Sequence, residues 1–322
     1  MKRMKKLAAA GAICAAMPGV ATSADWPGKP MTVIVPYGPG GGVDVFTRPL
    51  AAGLSKELGQ PMIVENRPGA GGIIGVQHVS KANPDGYTYL SGGVHQPMAE
   101  GLYPKRNYDL DKDFVPVALT AYVPTVLVVT NNAPYKTVRE FVAYAKAHPG
   151  DINYCSSGNG TSQHLVGEQF KRLTGINVTH VPYRGTAAAM TDLIAGHCSL
   201  MFDGLGTSAS QIRSGSIRPL AVVTKNRSTL FPDIPTLKEA GGPDMDATIW
   251  YGWWTRQGTP PAVVKRMAEA IRNTLKDPAV AETWKLQGAE VPTMPYAETG
   301  PYVHAEIERW TQAVKELGIS VD

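Results

Sequence analysis

The run "SSGNGTSQH" (residues 156–164) sets Ser156 and Ser157 ahead of His164, and Asp192 follows further along the chain. Serine, histidine and aspartate are the residue types of a nucleophile, its base and the acid that orients the base. No G-x-S-x-G elbow accompanies them, and that strained turn is what presents a serine nucleophile in α/β hydrolases. Serine-rich turns ahead of a helix serve more simply to cap it and to receive anions. Anion capture is therefore the leading chemistry here, and an exported hydrolase acting through Ser156 or Ser157 is the alternative.

The same chemistry recurs along the chain. "VIVPYGPGGGVDVFTRPL" (residues 33–50) is an apolar run, a glycine cluster and an amphipathic segment in succession. "ENRPGAGG" (65–72) and "PYRGT" (182–186) stand in equivalent places. The first turn of a helix has N–H groups without intrahelical acceptors, and the helix dipole puts partial positive charge there. Glycine lets a ligand approach that backbone and supplies the positive φ that points successive N–H groups one way. Several such turns around one crevice make an anion site without a dedicated cation.

Two other glycine-loop chemistries fail on spacing. Glu65 stands where a dinucleotide fold wants its ribose acid, but the G-x-G-x-x-G pattern begun at Gly38 meets Val43 at its third position. No Gly-Lys-Ser/Thr follows any glycine turn, which excludes a P-loop. No carboxylate pair suited to glycoside cleavage is visible, and no His/Cys cluster suggests a metal. No catalytic residue, metal or cofactor is expected.

The turns need strands before them and helices after them, and the hydrophobic pattern supplies both. Strands are predicted at residues 31–35, 62–64, 88–90, 126–129, 152–155, 178–181, 200–202 and 220–223. Helices are predicted at 43–58, 73–82, 138–147, 164–173, 187–195, 262–275 and 299–317, with 92–113 left irregular. Strands alternating with helices predict an α/β fold with parallel sheets flanked by helices and ligands at the carboxyl ends of the strands. Trp250, Trp253 and Trp254 are assigned to core or hinge packing.

With 322 residues, 43% hydrophobic and 18% charged, the chain has the length and balance of two globular domains. Its first 24 residues combine a basic head (Lys2, Arg3, Lys5, Lys6), a short apolar body and the small-residue end Thr22-Ser23-Ala24, the pattern of a secretory signal cleaved after Ala24. Removing that head leaves 27 basic residues (31 less 4) against 27 acidic, so the mature chain is neutral and has no electrostatic footprint for nucleic acid. Export makes Cys155 and Cys198 either a disulfide pair or two buried thiols.

The ordered set of segments resembles the receptors of tripartite tricarboxylate transporters, the Bug (Bordetella uptake gene) family. The opening quoted above, "ANPDGYTYL" (82–90), "YCSSGNGTSQHLVGEQF" (154–170), "HVPYRGTAAAMTDLIAGHCSLMFD" (180–203) and "TPPAVVKRMAEAI" (259–271) all take part. The resemblance implies a two-lobed periplasmic binding protein (type II-like) with a cleft between its lobes. One lobe would comprise residues 25–124 plus 225–322, the other 125–224. It implies a monomer that captures a small carboxylate and delivers it to membrane transporter subunits; a sensor presenting the ligand to a histidine kinase would share the same pocket. Carried over by position, the binding residues would be Tyr37, Gly38, Gly40, Gly41, Gly42, Asp44, Gly71, Gly72, His95, Ser156, Gly158, Thr161, His164, Tyr183, Arg184, Gly185, Thr186 and Asp203. Within that set, the N–H groups of Gly40, Gly41 and Gly42 would take one carboxylate and Asp44 would brace their loop. Ser156, Gly158 and Thr161 would donate from the other lobe, and Arg184 would meet a distal carboxylate. A dicarboxylate, an aromatic carboxylate and an acidic amino acid all remain open as ligands.

Overall fold

The computed structural model describes residues 26–318; the signal segment and its cleavage site lie outside the described residues. In chain order the elements are β1 (Met31–Val35), α1 (Gly42–Leu58), β2 (Met62–Asn66), α2 (Ile73–Ser80), β3 (Thr88–Gly93), α3 (His95–Leu102), α4 (Leu110–Asp113), β4 (Phe114–Thr130) and α5 (Val138–Ala147). Then come β5 (Asn153–Ser156), α6 (Ser162–Thr174), β6 (Thr179–Pro182), α7 (Thr186–Ala195), β7 (Leu200–Gly204), α8 (Leu205–Arg213) and β8 (Ile217–Val222). The chain closes with β9 (Thr248–Arg256), α9 (Pro261–Leu275), α10 (Pro278–Leu286) and α11 (Tyr296–Leu317).

The strands run in the order β2-β1-β3-β9-β4-β7-β5-β6, with β8 also against β4. Each lobe has a parallel set, β1 with β2 and β3 in one and β5 with β6 and β7 in the other. Antiparallel strands complete both sheets, so they are mixed rather than wholly parallel. Strand β4 belongs to both: Phe114–Pro124 pairs with β9, and the stretch 125–130 pairs with β7 and β8. The chain returns between β8 and β9.

Local sequence explains the site-bearing elements. In α1, Val43, Phe46, Leu50 and Leu54 recur at helical spacing and are buried, and Gly59, left-handed at φ 68°, ends the helix. Strand β9 is buried on both faces, with Trp250, Trp253 and Trp254 each 1% exposed. A doubly covered strand reads as a continuous apolar run, without the alternation that marks a half-exposed one. One core joins these tryptophans to β1, β3 and α9, and a second gathers Leu127, Phe141, Tyr154, Phe170 and Phe202 under the other lobe. Cys155 and Cys198 form a disulfide between β5 and the segment before β7, with Cα atoms 6.1 Å apart.

Candidate functional site

The first glycine loop is braced from within. Asp44 Oδ2 accepts from the Gly40 N–H at 3.0 Å and from Arg48 Nε at 2.9 Å. Its Oδ1 accepts from Asn66 Nδ2 at 2.9 Å, and the same amide donates to the Tyr37 carbonyl at 3.0 Å. Burial works against the charge on Asp44, yet these hydrogen bonds and the Arg48 charge hold its carboxyl below the ordinary value. The Gly40 N–H is thereby spent on the loop and is not free for a ligand, unlike its sequence-based assignment. The N–H groups of Gly41, Gly42 and Val43 meet no protein acceptor among the described residues. They form the first turn of α1, where the helix dipole adds to them.

The second loop is backbone in an unusual state. Gly69, Ala70, Gly71 and Gly72 all have positive φ, at 136°, 47°, 62° and 100°. Two of these glycines make room for tyrosines as well as for the turn: a Cβ on Gly71 would collide with the Tyr103 hydroxyl, and one on Gly72 would lie 2.9 Å from that of Tyr37.

The third loop turns its predicted donors inward. The Ser156 hydroxyl lies 2.6 Å from His180 Nε2 and bonds the Gly158 carbonyl at 3.1 Å, while the Gly158 N–H donates back to Ser156 Oγ at 3.2 Å. The Thr161 hydroxyl donates to the same carbonyl at 2.8 Å. His164 Nδ1 accepts from the Gly160 N–H at 3.1 Å, and its ring stacks on His180 with centroids 4.0 Å apart. Ser156, Gly158 and Thr161 therefore brace the loop and do not supply free donors. The open N–H groups lie further along, at Ser162 and Gln163 in the first turn of α6. Ser156 is fully buried, which denies it a substrate. The Ser157 hydroxyl, at the cavity, bonds no histidine base among the described residues, so neither serine is set up as a nucleophile.

Gln163 ties three segments together. Its Oε1 accepts from the Ser157 N–H at 2.5 Å, and its Nε2 donates to Asp203 Oδ1 at 2.7 Å and to Thr186 Oγ1 at 3.4 Å. Asp203 also accepts from Thr207 and Ser208, at 2.6 and 2.5 Å. Burial raises its pKa despite those neutral donors.

Between the lobes lies a cavity of about 940 Å³. Tyr37, Gly38, Gly41, Gly42, Gly71, Gly72, His95, Gly158, Thr161, Tyr183, Arg184, Gly185, Thr186 and Asp203 line it. Gly40, Asp44, Ser156 and His164 are absent from its lining: Asp44, Ser156 and His164 are buried bracing, and Gly40 is exposed beside a second, smaller cavity. Two contacts cross the cleft beside the cavity: His95 Nε2 with Ser162 Oγ at 3.1 Å, and the Tyr103 hydroxyl to the Asn159 carbonyl at 3.3 Å. Tyr103 and Tyr251 also line the cavity and were missed in the sequence; Gln163 lines it too and falls within the run 156–164 that the family resemblance implies, though without a role of its own. Tyr251 comes from a strand far along the chain.

Two lobes of α/β structure meeting over a cavity ringed by helix N-termini have the architecture of a two-lobed solute-binding receptor. Among the described residues no group of three or more His, Cys, Asp or Glu side chains is placed to hold a metal. The family model described as "Tripartite tricarboxylate transporter family receptor" matches residues 46–319, and the chain belongs to that family. It is 36% identical to protein BugT of Bordetella pertussis over 320 residues, covering 98% of each. Two solved structures are similar in sequence and fold. An R. palustris protein with adipate is 34% identical at a TM-score of 0.88, covering 92% of this chain and all of its own. MatC from Rhodopseudomonas palustris with bound malate is 32% identical at 0.85, covering 90% and 100%.

Proposed function

We propose that this receptor captures a small carboxylate between its lobes and hands it to the membrane subunits of a tripartite transporter. The observation that carries the reading is the row of unpartnered N–H groups at Gly41, Gly42 and Val43, at a helix start beside the interlobe cavity. Ser162, Gln163 and Thr186, at the starts of α6 and α7, offer matching donors from the second lobe. Adipate and malate in the two relatives belong to the same chemical class. The proposed hinge lies where β4 passes between sheets, near residue 124, and at the return. The sequence-based crossing near 225 moves to just before β9, because residues 235–247 bond to Val222 and Val223 and pack in the second core, which favours lobes of 25–124 plus 248–322 and of 125–247. The receptor acts as a monomer, after cleavage following Ala24.

Magnitudes suit reversible capture. Each hydrogen bond to a charged carboxylate contributes about 1.5–3 kcal/mol. Desolvation of the charge and ordering of the lobes offset much of that sum. A dissociation constant around micromolar, about −8 kcal/mol, is the expected remainder. A thermal-shift screen tests the reading. A carboxylate at a hundred times its dissociation constant adds about 2.7 kcal/mol and raises the midpoint. Stabilisation by neutral sugars with none by any carboxylate would refute it.

A further inference from the structure

Beside the cavity the lobes touch through protein groups alone. On the first lobe the contacts come from α3 and the residue after it. The Tyr103 hydroxyl donates to the Asn159 carbonyl at 3.3 Å, and His95 Nε2 lies 3.1 Å from Ser162 Oγ. Gly160 lets the surfaces come this close: at φ 74°, a Cβ there would lie 2.9 Å from Leu102 Cδ1 and 3.4 Å from the Tyr103 hydroxyl. Asn159, Gly160 and Ser162 belong to the third loop and the first turn of α6, the segment that carries the open amides of Ser162 and Gln163. These contacts contribute to closure whatever ligand is bound.

His95 makes the contact depend on a proton. Its Nδ1 is buried and meets no hydrogen-bond partner among the described residues. A neutral ring suits this place, because Nε2 pairs with the rotatable Ser162 hydroxyl and Nδ1 keeps only a lone pair. A protonated ring carries a donor on each nitrogen, and the one on Nδ1 would be buried without an acceptor, beside a charge taken out of water. The groups around the ring do not offset that charge. Tyr37 from the loop after β1, its ring centroid 5.3 Å away, Tyr103 from beyond α3 and Tyr251 from β9 are uncharged phenols at neutral pH. Glu100 on α3 is paired with Arg106, and His164 on α6 is engaged by the Gly160 N–H and the His180 ring. Arg184 and Asp203 line the cavity from the second lobe, where Asp203 is bonded to Gln163, Thr207 and Ser208. Burial, with no neighbouring charge to offset it, pushes the His95 ring down to about 4. Opening the cleft carries Ser162 away and brings water to the cavity side of the ring, where an ordinary histidine takes up a proton at about pH 6.5.

We propose that α3 and the third loop form a latch between the lobes that engages only on a neutral His95, so that closing expels a proton and acid opens the receptor. His95 and Tyr103 thereby act as positioning residues that set how readily the lobes meet. Between about pH 6.5 and 4 the open state binds more protons than the closed one, so the closed fraction falls as pH falls, and above that window the latch is fully available.

Double electron–electron resonance on the ligand-free mature receptor tests this, with one spin label on each lobe at the exposed positions Lys105→Cys and Leu173→Cys. The expected result is a closed-to-open ratio that falls roughly ten-fold or more between about pH 7.5 and about pH 5. His95→Gln, which keeps a hydrogen-bonding side chain and cannot titrate, should hold the ratio constant over that range. Tyr103→Phe should lower the ratio at both pH values and keep the fall between them. A wild-type ratio that does not move with pH would overturn the inference, and that measurement decides even where a variant fails to fold. A fall as steep in His95→Gln as in the wild type, or an unchanged ratio in Tyr103→Phe, would overturn it as well. Each of these results leaves the carboxylate reading standing, because the measurement is made without ligand.

Discussion

The hydroxyl of Tyr251 occupies the space that a side chain on Gly42 would need. The pair joins β9 to the start of α1, so a strand buried in the middle of the sheet sets the floor of the anion site. Gly41, one residue earlier, is different: a Cβ there would meet Gly38 O at 3.5 Å and Thr186 Oγ1 at 3.9 Å, ordinary contact distances.

Two adjacent glycine variants should therefore behave differently. Gly42→Ala displaces Tyr251 from a tightly packed site and should reduce both stability, by about 1–3 kcal/mol as overpacking does, and carboxylate binding. Gly41→Val should abolish binding and keep the unfolding midpoint within a degree or two. Denaturant unfolding and titration calorimetry on both variants measure the contrast, and equal stability losses would contradict it.

Tyr251→Phe removes one hydroxyl and little packing. Loss of a hydrogen bond to a charged group costs about 1.5–3 kcal/mol, so affinity should fall by roughly ten- to a hundred-fold. The Phe46 ring, 5.3 Å from that of Tyr251, still packs against it, and the melting temperature of the unliganded variant should not change. Wild-type affinity in Tyr251→Phe would exclude the hydroxyl from the site.

Acid should weaken the fold before the carboxylates titrate. Burial pushes His95 down to about 4, and burial with the neighbouring His164 does the same to His180. Unfolded histidines take up protons near pH 6.5. Between about 6.5 and 4 the unfolded state therefore binds more protons, and stability falls as pH falls. Asp203, raised by burial, acts in the opposite sense. His180→Gln, which keeps a polar partner for Ser156, should flatten the slope of stability against pH over this window. An identical slope in the variant would show that His180 is not held neutral.

The disulfide spans 43 residues of the second lobe. Closing a loop of that length in the unfolded chain contributes about 2–4 kcal/mol. Cys155→Ala with Cys198→Ala should lose that amount in denaturant unfolding, and a reductant should lower the wild type to the same level. A reductant effect in the double variant would point to something other than this bridge.

Much of this architecture was legible in the residues because its signals are local. The glycine turns at 38–42 and 69–72, and the serine-glycine turn at 156–160, do stand between strands and helices, and the buried stripe of α1 follows its spacing. Strand β9 was not recognised, because Ile249 to Trp254 is buried throughout and has no alternation to read. Helix α3 was hidden by Gly92, Gly93 and Pro97, which suggest irregular chain. The donors were harder still. A turn rich in Ser156, Gly158 and Thr161 announces a helix start, but its own hydrogen bonds decide which groups turn inward. Those bonds involve His180, which comes from a neighbouring strand. Tyr103 and Tyr251 enter the site through tertiary packing that no local pattern encodes.

The central claim is that main-chain amides at the start of α1 hold the ligand's negative charge. Amide ¹⁵N–¹H spectra recorded while a bound carboxylate is titrated test it most directly. Large downfield shifts are expected at Gly41, Gly42 and Val43, with little change at Gly40, whose N–H is already bonded to Asp44. Unmoved signals at those three amides, with the Arg184 side-chain signal shifting instead, would contradict it.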